Sequence, residues 1–236
     1  MRSLSWRVCL PVVCACFWTA FAVGEDAPPE TLKGMKLVFQ DDFESGNASR
    51  WEASDPRAWK VTEIDGNHVY SQFQQSDVKT PVRSPFNRSM VKDLVVGDCI
   101  LDVKLQSTIK DYGHRDMCLF FGFQDPAHFY YVHLGKKMDD HANQIFIVNN
   151  EPRKKISTET TPGTNWDDEW HHVRVIRRVD DGTIEVYFDD MEKPVMRAKD
   201  KTFTWGQVGV GSFDDTGNFD NVRVYGTLAK PAAQSE

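Results

Sequence analysis

The stretch GHRDMCLFFGFQDPAHFYYVHLGKKMDDHANQIFIVNN, residues 113–150, alternates with a period of two. That is the signature of strands with two distinct faces. Leu119, Phe121 and Phe123 fall on one face of the first run. In the second, Phe129, Tyr131 and His133 fall on one face and Tyr130, Val132 and Leu134 on the other. The polar members are Arg115, Asp116, Tyr131, His133, His141 and Asn149 rather than the Lys, Glu and Thr of an ordinary wet sheet face.

Outward from this stretch, strand-like runs continue at 36–40, 58–62, 67–73, 98–106, 116–123, 129–134, 144–149, 171–178, 183–188, 207–212 and 219–225. Asp181-Gly182 between two of them predicts a tight hairpin, because that pair tolerates positive φ. No ten-residue window sustains helical periodicity, and only part of 85–95 (PFNRSMVKDLV) admits a short helix. Short strands separated by turn residues, without an internal repeat, predict an all-β, two-sheet antiparallel β-sandwich.

Residues 1–22 carry Arg2 and Arg7, then an apolar run, then Ala20-Phe21-Ala22, the pattern of a cleaved signal peptide. The expected layout is signal peptide 1–22, flexible lead-in 23–34, one domain over 35–226 and a flexible tail over 227–236. Cleavage takes the net charge from −7 to −9, which argues against nucleic acid as a partner. No later stretch is long and apolar enough for a transmembrane segment, so a secreted or otherwise extracytoplasmic protein is expected. Cys99 and Cys118 remain, as either a disulfide or two buried thiols.

LVFQDDFESG (37–46) with Arg50-Trp51, WKVTEIDGN (59–67) and WGQVGVGSFDDTGNFDNVRVYG (205–226) resemble the opening and closing strands of concanavalin A-like lectin/glucanase jelly rolls. DEWHHVRVIRRVDDGTIEVYFDD (168–190) resembles a laminin-G-type hairpin. The resemblance implies one concave and one convex sheet, and a glycan or saccharide partner on the concave face. It also points towards the three-keto-disaccharide-hydrolase-like domains, although Arg115-Asp116-Met117-Cys118 stands where that branch carries its own motif. The Glu-x-Asp-x-x-Glu strand of the glucanases is missing, since Glu63-Ile64-Asp65-Gly66-Asn67-His68 ends in His and reads as a turn.

The candidate substrate-binding residues are Arg115, Tyr131, His133, His141, Asn143, Asn149, Arg153 and Trp166. Aromatic rings suit the C–H faces of sugars, and planar polar groups suit their hydroxyls. Asp116 and His133 are the candidate catalytic acid/base pair should the protein be a hydrolase or lyase. Jelly rolls of this kind often hold a structural Ca²⁺, which the resemblance places at Asp42 and Asp220, with backbone carbonyls completing the oxygen set. His171-His172 alternates across a strand, so the two rings diverge. The leading expectation is a glycan-binding module. A saccharide-processing enzyme and a laminin-G-like protein-interaction domain are the alternatives.

Overall fold

A computed structural model describes residues 27–230. The expected signal peptide lies outside the described residues, as do residues 23–26 and 231–236. Among the described residues, no helix is long and apolar enough to cross a membrane.

The chain forms β1 (Thr31–Leu32), β2 (Met35–Asp41), β3 (Trp51–Ala53), β4 (Trp59–Ile64), β5 (Asn67–Gln72) and β6 (Asn87–Val91). It continues through β7 (Val96–Ser107), β8 (Asp116–Asp125), β9 (His128–Gly135), β10 (Gln144–Asn149), β11 (Lys154–Lys155) and β12 (Ser157–Thr160). The last third supplies β13 (His171–Arg177), β14 (Thr183–Phe188), β15 (Met196–Lys199), β16 (Gln207–Ser212) and β17 (Gly217–Leu228). Ten strands form one antiparallel sheet in the order β1-β2-β17-β7-β13-β14-β15-β12, with β5 also on β17 and β4 on β5. The second sheet runs β11-β10-β9-β8-β16-β6-β3.

The sandwich core is made by alternation. Val173 and Val175 of β13 pair with Val103 and Leu101 of β7 and face Leu119, Phe121, Val132 and Leu134 of the other sheet. Each such side chain contributes roughly 1.5–3 kcal/mol on full burial. The seven-stranded sheet carries a second apolar layer on its outer face, made of Met90, Cys118, Phe120, Phe123, Phe129, Tyr131, Phe146 and Val148.

Several expectations are corrected. Phe123 lies on the outer face, opposite Leu119 and Phe121. The β8–β9 register shifts after Phe121, and Gly122 there has φ +56°, a bulge that reverses the alternation. Residues 87–91 form a strand, not part of a helix, and all five are buried because both faces are covered. The 181–182 hairpin forms, but only Gly182 has positive φ (+80°), and the Arg178–Thr183 hydrogen bond closes a longer loop than a two-residue turn. Lead-in residues Thr31–Leu32 pair with Met35–Lys36, and β17 extends into the expected tail. Of the two readings for the cysteines, the structure has the buried thiols: Cys99 and Cys118 are free and on different sheets, Cys99 in the core and Cys118 on the outer face.

Candidate functional site

On the outer face of the seven-stranded sheet, register places Gln144, His133 and Cys118 side by side across β10, β9 and β8. The next row is Phe146, Tyr131 and Phe120, whose rings lie 5.1–6.1 Å apart and stack. This aromatic floor is not an open trough. Val82, from the irregular segment 73–86, and Phe213 pack against it. Tyr131 is completely buried, burial drives its phenol well above the usual range, and its hydroxyl accepts Arg153 Nη1–H at 3.2 Å.

Beyond Phe213 the face becomes polar. His133 Nε2 lies 2.7 Å from Asp116 Oδ2, and both side chains are buried. The other Asp116 oxygen accepts the Phe213 N–H at 3.2 Å. His133 Nδ1 is buried with no hydrogen-bond partner among the described residues. A buried imidazole oriented by a carboxylate through one nitrogen, with the other unused, can accept or donate a proton.

Asp214 and Asp215, in the turn after β16, complete this end. Asp215 accepts Tyr112 Oη–H and the Asp116 N–H, each at 2.7 Å. Burial, reinforced by the Asp116 charge, pushes its carboxyl up to about 6 against these two hydrogen bonds. The same two causes raise Asp214, which is itself exposed. The guanidinium of Arg153 sits over Phe213 at 4.3 Å and Phe146 at 5.1 Å. Tyr112, 41% exposed, and His114, bound to Asp139 at 3.0 Å, stand at the rim.

The sequence candidates therefore separate. Asp116, His133, Tyr131 and Arg153 come together. Arg115 points elsewhere, clamped to Ser107 and, at 2.7 Å, to Asp168. Asn149 pairs with His128 and follows the phase of inward-facing Ile147, so it does not join Tyr131 and His133. Asn143 is buried, its amide tied to Thr160 and Thr161, while His141 is exposed in the neighbouring turn. Trp166 is 2% exposed, donates to Leu134 O at 2.6 Å and packs edge-on to His171 and Phe188. That is a core role, and no ring face is offered to a sugar. The two adjacent histidines do diverge, His171 to Asp189 and His172 to Asp102.

Asp42 is exposed in a crevice of about 770 Å³ that also takes in Glu44, Asn67 and Asn221. Asp220 is buried, and its oxygens accept N–H groups from Asn67 and Asn221. N–H donors suit a lone carboxylate, whereas a calcium ion needs oxygens there. Among the described residues no group of three His, Cys, Asp or Glu is arranged to hold a metal.

Tyr112, His114, Asp214 and Asp215 were missed as site residues. The Asp pair was visible only as one acidic turn among several. Its meeting with Asp116 depends on β16 pairing with β8, contacts separated by about a hundred residues.

Solved structures similar to this chain include the carbohydrate-binding module CBM66 from Bacillus subtilis. Its TM-score is 0.54 at 16% identity, over 76% of this chain and 97% of that one. The winged bean acidic lectin complexed with methyl-α-D-galactose scores 0.55 at 9% identity, over 81% and 98%. Peanut lectin scores 0.53 at 14% identity, over 83% and 100%. The fold is a concanavalin A-like jelly roll. No protein-family model and no curated protein sequence matches the chain. In this jelly roll the polar end described above lies on the outer face of one of the two sheets, and identities of this size speak to the fold alone.

Proposed function

We propose that this jelly roll is an exported carbohydrate-binding protein. Its glycan meets the outer face of the seven-stranded sheet, the one the resemblance implies is concave, at the polar end rather than over the roofed aromatic floor. The observation that carries the reading is the exposed Tyr112 ring, bonded through its hydroxyl to Asp215 at the end of the sheet that also carries Asp214 and the Asp116–His133 pair. An accessible ring with planar polar groups around it suits a sugar's C–H face and hydroxyls. Lectins and a carbohydrate-binding module among the structural neighbours support the same reading. Export rests on residues 1–22 and is checked by N-terminal sequencing of the mature protein.

A second reading, saccharide hydrolysis or elimination, draws on one specific observation. His133 is held by Asp116, whose N–H binds Asp215, and the Asp215 carboxyl is pushed up to about 6 by burial, so an imidazole and a proton-holding carboxyl share this end. Incubation with a polysaccharide panel, reading bound protein and released sugar together, separates the two. Retention without release, abolished in Tyr112→Ala and kept in Tyr112→Phe, which loses the same hydrogen bond to Asp215, is the expected result. Release that stops in His133→Ala would favour the enzyme, and no retention on any glycan would refute the binding reading.

Calcium remains a separate proposal. An ion between Asp42 and Asp220 would require the Asn67 amide to turn its oxygen, instead of its N–H₂, towards the site.

A further inference from the structure

Among the described residues three arginines are buried: Arg88, Arg115 and Arg177. Two are fully explained by the protein. Arg115 binds Ser107 twice and Asp168 once, and Arg177 donates to the carbonyls of Arg178, Asp200 and Phe203. Arg88 differs. It lies on β6, 6% exposed, and shares the outer face with Met90 while Ser89 and Val91 turn inward. Its guanidinium rests 5.6 Å from the Phe123 ring centroid, and only Nη1 is used, donating to Pro85 O at 3.0 Å.

No carboxylate among the described residues forms an ion pair with Arg88. Burial pulls its pKa down, with no neighbouring charge to offset the effect. A guanidinium has five N–H donors, so most of this fork is unused. The unused nitrogens are not among the unpartnered polar atoms sealed from solvent, so they keep a small contact with it. A buried charge without a counter-charge is costly, and a hydrophobic residue of similar volume would be the more stable choice. The surroundings add to the argument. Arg83 O accepts the Arg153 N–H at 3.1 Å, which ties the segment carrying Arg83 and Arg88 to the one carrying Arg153.

We infer that Arg88 is the anchor for an oxyanion carried by an acidic saccharide, a uronate carboxylate or a sulfate ester. Phe123 backs the guanidinium, and Arg153 offers a second contact on the same face. The inference rests on the proposed carbohydrate reading, extends its site from His133 along the register row through Cys118 and Gly211 to Arg88, and names the class of glycan. The guanidinium fork matches a carboxylate or sulfate through two parallel N–H···O bonds, whereas a neutral hydroxyl leaves the buried charge uncompensated.

The test titrates the intact protein with three oligosaccharides: oligogalacturonate, a sulfated carrageenan oligosaccharide without uronate, and a neutral xylo-oligosaccharide. The wild type is expected to prefer one acidic series, with affinity falling as salt rises. Arg88→Met keeps the length and apolar stem but removes the charge. It should lose about 10- to 100-fold in affinity for the acidic ligand, with neutral binding unchanged and the melting temperature equal or higher. The uronate and sulfate arms identify which group is bound. Equal wild-type affinity for neutral and acidic ligands, or an Arg88→Met affinity within twofold of wild type, overturns the inference. If Arg88→Met does not fold, Arg88→Lys keeps the charge without the fork and should weaken acidic binding by about tenfold. No loss in that variant is equally fatal.

If no saccharide binds at all, the carbohydrate reading fails by itself. Sodium sulfate then tests the oxyanion site directly, against sodium chloride at matched ionic strength. A larger thermal stabilisation of wild type than of the Arg88 variant supports the site, and equal stabilisation overturns it.

Discussion

Replacing Tyr112 by Phe removes one hydroxyl and keeps the ring, so it isolates the 2.7 Å hydrogen bond to Asp215. A hydrogen bond to a charged acceptor contributes about 1.5–3 kcal/mol. Tyr112 is 41% exposed, so water replaces part of what is lost and about 1.4 kcal/mol is a reasonable share. That corresponds to about one pKa unit and moves Asp215 from about 6 to about 7. Because the folded-state pKa lies above the ordinary 3.8, protonated Asp215 favours the fold. Its contribution is complete below about pH 4 and is lost as pH rises through about 6, or about 7 in the variant. Wild type and Tyr112→Phe should therefore melt together at pH 4 and separate at pH 8, the variant lower by about 3–5 °C. Calorimetric melts across that range, paired with a carboxyl ¹³C titration of Asp215, read both quantities. A deficit of the same size at every pH would refute the electrostatic account, as would an Asp215 signal titrating near 4 in the wild type.

Trp166→Ala should cost about 3–5 kcal/mol in chemical denaturation, because it empties a core site. Glycan retention per folded molecule should persist, and its loss at preserved stability would restore Trp166 as a sugar platform. Gly122→Ala should cost about 1–2 kcal/mol in the same assay, since φ is +56° and the new Cβ would lie 3.1 Å from the Tyr130 ring. A neutral result would mean that the β8 bulge relaxes freely. If calcium binds at Asp42 and Asp220, excess CaCl₂ over EDTA should raise the melting temperature, by about 2.7 kcal/mol of stability at a hundredfold excess over Kd. The rise should disappear in Asp42→Ala, and identical melts with and without the ion would end the proposal.

The strands around 113–150 were legible because their two faces carry different residues, aliphatic towards the core and aromatic or polar on the outside, which leaves a period-two pattern, and Tyr131 and His133 fell on the same face as expected. Phe123 was misplaced because one bulge residue inverts every later position, and a glycine within an alternating run does not announce its φ. Residues 85–95 resisted reading for a related reason. A strand covered on both faces does not alternate, so β6 offered neither period. The polar end was half visible. Asp116 and His133 are set by adjacent strands, whereas Asp215 and Tyr112 reach them through contacts about a hundred residues away in sequence. Arg88 carried no signal at all, because its significance lies in the partner it lacks.

β17 closes the ten-stranded sheet: it pairs along one edge with β7 and along the other with β5 and then β2. The last strand made is therefore the one that joins the first third of the chain to the middle. Until residues 217–228 are available, β2, β5 and β7 keep open hydrogen-bonding edges, and the sheet cannot form in its final order. Completion of the sheet therefore waits on β17. The same dependence makes any product truncated before Gly217 a set of sticky edges instead of a smaller stable domain.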